Sequence, residues 1–270
     1  MSFKKTLFSI ALIFCTVGAA SAQELHVAAA ADLNFALPEI AKAFEAQTGT
    51  KVLISFGSSG NFFAQIQSGA PFDVFCSADM GYPQKLAAAG QALPETLRQY
   101  ASGRLVLWVP SGSKLNFERD GIKVLLDPSV KKIAIANPEH APYGRAAVAA
   151  LQKAKLYDQV KEKLVLGENV SQTAQFVTSG NADIGLISLS LAQAPELQKQ
   201  GHFWKVPPEI ADSLPQGGIV LKQSASPQVA EKFLDYLSCP AGAKILAQYG
   251  FDVTVSGNSD PQKCGELSGK

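Results

Sequence analysis

Short apolar runs alternate with amphipathic helical patterns, and this alternation limits the possible folds more than any other feature of the chain. Residues 25–30, 52–56 and 74–76 are apolar runs with the length of buried strands. Apolar residues at helical spacing follow the first run, at residues 37–44, and Gly49 is placed to end that helix. A second helical pattern separates the second and third runs. This order predicts a parallel sheet covered by helices.

The same alternation restarts after a strand pattern at residues 105–109. Strand patterns at 132–136, 164–166 and 184–187 alternate with helical segments and form a second α/β unit. A last strand pattern at 218–221 is followed by two amphipathic helices that have no sheet of their own. The simplest packing returns this C-terminal part to the first unit, so that the chain crosses twice between the units.

The predicted fold is therefore α/β, with two lobes and a cleft between them. We place lobe 1 at residues 23–104 and 216–270, and lobe 2 at residues 105–215. Lobe 1 is thus discontinuous in sequence. Because two chain crossings join the lobes, the cleft can close like a hinge around a ligand.

Residues 1–22 have the three parts of a secretory signal peptide. Lys4 and Lys5 precede a mostly apolar stretch at 7–17, and the segment ends in Ala-Ser-Ala. The apolar stretch is too short to span a bilayer. A lipoprotein attached through Cys15 is the alternative, although the residue before that cysteine is bulky. We expect cleavage of the signal peptide and a soluble, periplasmic protein.

Composition and charge exclude several classes of protein. The chain of 270 residues is 47% hydrophobic and 17% charged, which excludes a disordered chain. Its formal net charge is +1, and removal of 22 residues that include two lysines and no acid changes it to −1. Such a chain has no basic excess for nucleic acid or an anionic membrane. We expect a monomer that binds neither.

Three cysteines lie beyond residue 22. Cys76 lies in an apolar run, which predicts a buried free thiol. Cys239 and Cys264 flank the C-terminal tail and are candidates for a disulfide in an oxidising compartment. The three histidines are scattered and lack the spacing of metal ligands, so we expect no resident metal and no cofactor.

Four strand-to-helix junctions consist of small or polar residues. They lie at residues 30–34, 57–60, 142–144 and 169–171. Ligands of such sheets bind beyond the carboxyl ends of the strands, and the first N–H groups of a helix attract anions. Two junctions from each lobe would surround a small oxyanion with N–H and O–H donors, without any need for Arg or Lys.

Several longer motifs occur in order along nearly the whole mature chain. They are Gly-Ser-Ser-Gly at 57–60, Gly-Ala-Pro-Phe-Asp-Val-Phe-Cys-Ser-Ala-Asp at 69–79, Ile-Ala-Asn-Pro-Glu-His-Ala-Pro-Tyr-Gly at 135–144, Glu-Asn-Val at 168–170 and Ala-Asp-Ile-Gly-Leu at 182–186. With these motifs the chain resembles the periplasmic molybdate-binding proteins of ABC transporters. The resemblance implies a two-lobe venus-flytrap fold of the type II periplasmic binding proteins. It also implies molybdate and tungstate as ligands and an ABC transporter permease as the partner.

The resemblance also assigns the contacts to the oxyanion, motif by motif. It places them at Ala31, Asp32, Ser59, Tyr143 and Val170. Val170 qualifies without a polar side chain because its contact is made by a main-chain N–H. Some relatives carry a tyrosine at the position that Ser188 matches here, and Ser188 is the weaker candidate because its side chain is shorter.

Asp32 departs from the family pattern, since the first loop usually offers Ser, Thr or Asn. A carboxylate beside a dianion is repulsive. One arrangement turns the side chain away so that it caps the following helix, although Pro38 limits a helix that starts so early. In the other arrangement Asp32 lines the cleft and changes its chemistry, for instance by holding a proton. We favour the cap.

Other functions are compatible with parts of the sequence. Another tetrahedral oxyanion, such as sulfate or phosphate, would fit the same design, and Asp32 would accept the proton of hydrogenphosphate. An exported serine hydrolase would use Ser59, but the chain has no Gly-x-Ser-x-Gly elbow at this position. His140 is the only histidine at a matching strand end. A sensor domain that docks on a membrane partner is a third alternative. We expect a binding protein and no enzyme.

Overall fold

Two five-stranded sheets form the framework of the protein, which we describe from a computed structural model over residues 24–253. The strands are β1 (Glu24–Ala30), β2 (Lys51–Gly57), β3 (Val74–Ser77), β4 (Arg98–Gly103), β5 (Leu105–Pro110), β6 (Ile133–Ala136), β7 (Leu164–Gly167), β8 (Ile184–Ser188), β9 (Gly201–Lys205) and β10 (Leu214–Val220).

Helices cover both sheets. The α-helices are α1 (Ala36–Thr48), α2 (Ser59–Gln67), α3 (Gly81–Ala88), α4 (Phe117–Asp120), α5 (Pro142–Lys153), α6 (Tyr157–Val160), α7 (Val170–Thr178), α8 (Leu189–Ala192), α9 (Pro195–Gln198), α10 (Pro227–Ser238) and α11 (Pro240–Gln248). Short 3-10 helices span Ala31–Leu33, Pro94–Thr96, Gly121–Leu126 and Lys161–Lys163.

The sheet of lobe 1 has the strand order β2-β1-β3-β10-β4. β1 pairs in parallel with β2 and β3, as the alternation predicts, but β10 is antiparallel to both β3 and β4. The three strands of the predicted β-α-β-α-β unit are thus parallel, and β10 makes the complete sheet mixed. β10 returns from the other lobe, so it enters the sheet in the opposite direction to the strands of the β-α-β unit.

The sheet of lobe 2 repeats this plan with the order β7-β6-β8-β5-β9. β6 is parallel to β7 and β8, whereas β5 is antiparallel to β8 and β9. β5 follows β4 after the single residue Arg104, which carries the chain from one sheet to the other. The apolar pattern did not predict β4 or β9, because both mix polar with apolar residues and lie at sheet edges.

The C-terminal helices α10 and α11 pack on lobe 1. Phe233 on α10 meets Phe44 on α1 edge to face, with ring centroids 5.2 Å apart. The helix predicted at 37–44 is α1, and Gly49 ends it with a φ of +72°, as predicted. Pro38 lies in the first turn of α1, where a missing N–H removes no intrahelical hydrogen bond.

Some expectations fall on residues outside the described range. The signal peptide at residues 1–22 and the cysteine at position 264 are not described, so the signal peptide and the disulfide between Cys239 and Cys264 stay predictions. Cys76 is buried and free, as expected. Within residues 24–253, no helix is long and apolar enough to cross a membrane.

Candidate functional site

The lobes meet around a small cleft at the carboxyl ends of the parallel strands. About 200 Å³ of space, part of it open to solvent, lies between the lining residues. They are Ala30, Ala31, Asp32, Gly57, Ser58, Ser59, Ala78, Ala141, Pro142, Tyr143, Asn169 and Val170. All four predicted junctions thus contribute to one cleft. Its size suits a small ion, and among the described residues the lining holds one carboxylate and neither Lys nor Arg.

Three helices begin at this cleft and direct their first N–H groups towards it. α2 begins at Ser59, α5 at Pro142 and α7 at Val170. Pro142 has no N–H, so Tyr143 carries the first amide donor of α5. Helix N-termini from both lobes therefore give the cleft a positive potential without a formal charge.

Ser59 is fully buried at the start of α2. Its Oγ accepts a hydrogen bond from the backbone N–H of Ala78 at 3.0 Å, which leaves the hydroxyl proton to donate. His140 does not reach Ser59, because its Nδ1 lies 2.9 Å from Oγ of the neighbouring Ser58. The hydrolase alternative required a base at Ser59, and the described residues place none in hydrogen-bond contact with it.

Val170 lies opposite Ser59, in lobe 2. The side chain of Asn169 caps α7 by accepting the N–H groups of Ser171 and Gln172, both at 3.0 Å. The cap thus uses the second and third amides of α7 and leaves the first, that of Val170, which lies in the cleft lining. This placement agrees with a main-chain contact and explains why an apolar side chain is tolerated there.

Asp32 is not a helix cap, so the arrangement that we favoured from the sequence is wrong. The turn Ala31–Leu33 has no side-chain cap, and α1 starts four residues after Asp32. Its side chain is buried instead, and Oδ2 accepts from Nε2 of Gln216 at 2.5 Å. Oδ1 is buried without a partner among the described residues. Burial raises the pKa of Asp32 to about 6, against the opposing effect of hydrogen bonds from Gln216 and Tyr143.

A buried polar network holds this carboxyl group. The hydroxyl of Tyr100 lies 2.9 Å from Oε1 of Gln216 and so turns the amide Nε2 towards Asp32. Tyr143 contacts both Asp32 and Gln216, and burial beside Asp32 raises the pKa of its phenol well above the ordinary value. The phenol of Tyr143 therefore stays protonated beside Asp32 and Gln216.

Gln216 is a site residue that the sequence analysis missed. It is fully buried on β10, 184 positions from its partner Asp32. The one available signal was a glutamine two positions before an apolar strand pattern, which is unusual for a buried position. The pattern alone does not say which distant residue the amide meets.

The close approach of Tyr143 to the chain crossing requires a glycine. A Cβ atom at Gly103 would lie 2.0 Å from the Tyr143 hydroxyl and 2.7 Å from Nε2 of Gln216. Because neither distance is sterically possible, Gly103 is needed for the network behind the cleft. Gly103 directly precedes the crossing residue Arg104, so the network also lies at the hinge.

Direct contacts join the lobes on either side of the cleft. The N–H of Gly60 donates to the carbonyl of His140 at 2.8 Å. Arg145 of lobe 2 pairs with Asp79 of lobe 1 at 2.6 Å. Elsewhere Asn34 donates to Ser171, and Asn61 donates to Glu168. The structure therefore represents the lobes in contact, with the cleft nearly closed.

The remaining candidates differ in their positions. Ala31 is buried in the cleft lining, where only its main chain is polar. Ser188 does not belong to that lining. Its Oγ caps α8 by accepting from Leu191 N–H at 3.3 Å and lies 3.0 Å from Oγ of Ser190, to which it can donate. Ser188 therefore supports the neighbouring turn, and the suggestion that it faces the ligand is not supported.

The chain is similar to proteins that bind small solutes. The family model for bacterial extracellular solute-binding proteins matches residues 25–252. The molybdate-binding protein ModA of Azotobacter vinelandii is 37% identical over 250 residues, which cover 90% of this chain and 98% of that protein. ModA of Rhodobacter capsulatus is 35% identical, with 90% and 94% covered. The solved structure of the periplasmic molybdate-binding protein of A. vinelandii superposes with a TM-score of 0.80 at 34% identity and covers 85% of this chain and 99% of that one.

Proposed function

Because the chain belongs to the family of bacterial extracellular solute-binding proteins, we propose that it captures molybdate in the cleft and delivers it to the permease of an ABC transporter. The single observation that carries the proposal is the lining of the cleft. Three helix N-termini and a serine hydroxyl converge there, and no Lys or Arg side chain lines it. Such a surface binds an anion through hydrogen bonds alone.

Several donors are needed because a dianion loses its hydration when the lobes enclose it. A hydrogen bond to a charged group contributes about 1.5–3 kcal/mol. The donors of this chain are the hydroxyl of Ser59 and the first amides of α2, α5 and α7. The Tyr143 hydroxyl joins them when it turns from Asp32. Ala31 and Asp32 close the cleft from the side of lobe 1.

Size is the property that separates molybdate from smaller oxyanions. Tungstate has the same shape and charge as molybdate, so we expect it to bind as well. Sulfate is smaller and cannot reach donors of both lobes at once. Contacts such as Gly60 to His140 hold the lobes at a set separation, which makes the cleft selective for the larger ions.

A thermal-shift titration tests this function. Binding to the folded state alone stabilises it by about 2.7 kcal/mol at 100-fold excess over Kd. We expect the Tm to rise with molybdate and tungstate, and to change little with equal concentrations of sulfate or phosphate. If neither metal oxyanion raises the Tm, or if sulfate or phosphate raises it more, the proposed function is wrong.

Delivery and location complete the proposal. The relatives named above are binding proteins, and we infer that this chain acts in the same way, as a periplasmic monomer exported by its N-terminal segment. Interaction with the permease can be tested by uptake of molybdate in cells that carry or lack this protein. Uptake that does not depend on the protein would contradict the transport role.

A further inference from the structure

The buried carboxyl group of Asp32 has an unusual feature, which is an oxygen without a hydrogen-bond partner among the described residues. Asp32 is 1% exposed and lines the cleft. Oδ2 is held by Gln216, and the main-chain carbonyl accepts from the hydroxyl of Ser190 at 2.8 Å, so the residue cannot turn away. Oδ1 has no partner among the described residues. A buried carboxylate oxygen without a hydrogen-bond donor costs free energy. Oδ1 is therefore the atom at which a proton would remove that cost.

Among residues 24–253, no Lys or Arg side chain pairs with the carboxyl group of Asp32. From the elements around it, Asp32 meets the phenol of Tyr143 on α5 and the amide of Gln216 on β10, with Tyr100 on β4 behind that amide. Arg145, at the edge of the cleft, is paired with Asp79. The surroundings therefore disfavour a carboxylate, and burial is the largest cause of its raised pKa.

A dianion in the cleft makes this charge still less favourable. A deprotonated Asp32 would present a charged acceptor to an oxyanion that is also an acceptor. One added proton removes the conflict. With the proton on Oδ1, the acid donates to an oxyanion oxygen, while Oδ2 still accepts from Gln216.

We propose that molybdate binds to this protein together with one proton, which Asp32 holds on Oδ1 and donates as a hydrogen bond to an oxyanion oxygen. The proton comes from solvent, so carboxylate, proton and dianion combine without any other change in bonding. This inference rests on the proposed function. It makes Asp32 a specificity residue, because hydrogenphosphate already carries the shared proton whereas molybdate and sulfate do not.

The proposal predicts a definite pH dependence. The pKa of Asp32 in the free protein is about 6, so protonation becomes about tenfold less favourable for each pH unit above that value. Between pH 6 and pH 8 the Kd for molybdate should rise by about 50-fold. Proton uptake, measured from the binding enthalpy in buffers of different ionisation enthalpy, should approach one proton at pH 8.

Asp32→Asn is the decisive variant. Its amide nitrogen replaces the protonated Oδ1 as a permanent donor, and its oxygen still accepts from Gln216. We expect its Kd to be flat between pH 6 and pH 8, without proton uptake, and to be at least tenfold lower than that of the wild type at pH 8. At pH 6 the two proteins should bind within a few-fold of each other.

Two control variants separate Asp32 from other titrating groups. Asp73→Asn alters a buried carboxyl group of the same lobe, whose two oxygens accept from His26 N–H and the Ser224 hydroxyl, away from the cleft. His140→Gln removes the side chain that contacts Ser58 at the cleft edge. Both should keep the proton uptake of the wild type.

The possible outcomes are distinguishable. Binding of molybdate with a pH-independent Kd and no proton uptake would leave the proposed function intact and overturn the shared proton. The shared proton is also wrong if Asp32→Asn keeps the wild-type pH dependence, if it loses more than tenfold in affinity at pH 6, or if His140→Gln abolishes the proton uptake. If molybdate fails to bind at every pH, both the function and this inference are wrong.

Discussion

Replacement of Ser59 by alanine should weaken molybdate binding and destabilise the fold at the same time. The Ser59 hydroxyl has two roles in the structure. Its oxygen accepts from the buried N–H of Ala78 at 3.0 Å, and its proton is free to donate to the ligand. The variant therefore loses a hydrogen bond to a charged ligand and leaves a buried amide without its acceptor.

Each loss has its own magnitude. A hydrogen bond to a charged group contributes about 1.5–3 kcal/mol, so the Kd should rise by about 10- to 150-fold. An unpaired buried amide costs about 1–3 kcal/mol of stability. For a protein of this size, each kcal/mol corresponds to about 2–4 °C in Tm. Calorimetric titration measures the first effect, and thermal unfolding without ligand measures the second.

Thr96→Val is the matched control. Thr96 is also buried, and its Oγ1 accepts from the N–H of Val220 at 3.0 Å, but it does not line the cleft. This variant should lower the Tm while the affinity of the folded protein stays the same. If Ser59→Ala lowers the Tm but binds molybdate as tightly as the wild type, Ser59 is structural and the donor assignment is refuted.

Three further variants test other parts of the cleft. Gly103→Ala places a Cβ 2.0 Å from the Tyr143 hydroxyl, so it should cost about 1–3 kcal/mol of stability and weaken binding severalfold. Gly112→Ala is the control, because no atom lies within 4 Å of its Cβ, and it should change neither quantity in the same unfolding and binding assays. Arg145→Met breaks the partly exposed ion pair with Asp79 and should raise the Kd by up to about fivefold at low salt; an equal effect at high salt would contradict an electrostatic origin. In the folded protein the pKa of Asp32 is raised from 3.8 to about 6, so protonation of Asp32 favours folding. The stability that this protonation contributes is full below pH 4 and is lost as the pH rises through 6. Without ligand, Asp32→Asn should therefore raise the Tm more at pH 7.5 than at pH 4.5, and an equal shift at both would contradict this linkage.

Local periodicity predicts the elements of this fold well and their directions poorly. The apolar runs at 25–30 and 74–76 are β1 and β3, and the helical stripe at 37–44 is α1. Such patterns depend on residues close together in the chain, which is why a sequence reveals them. The antiparallel entry of β10 depends on where the chain returns after the second lobe, and no local pattern carries that information.

The position of the cleft was also accessible from the sequence, because strand-to-helix junctions meet at the carboxyl edge of a parallel sheet. The junction residues Ser59, Tyr143 and Val170 all line it. The state of Asp32 was not accessible. Its environment is made by Gln216, 184 positions away, and by Tyr143 from the other lobe. The energy of such a carboxyl group depends on its burial and on contacts with residues far away in the sequence, and not on its sequence neighbours. Only the folded chain therefore decides whether it caps a helix in water or is buried with an oxygen that has no partner among the described residues.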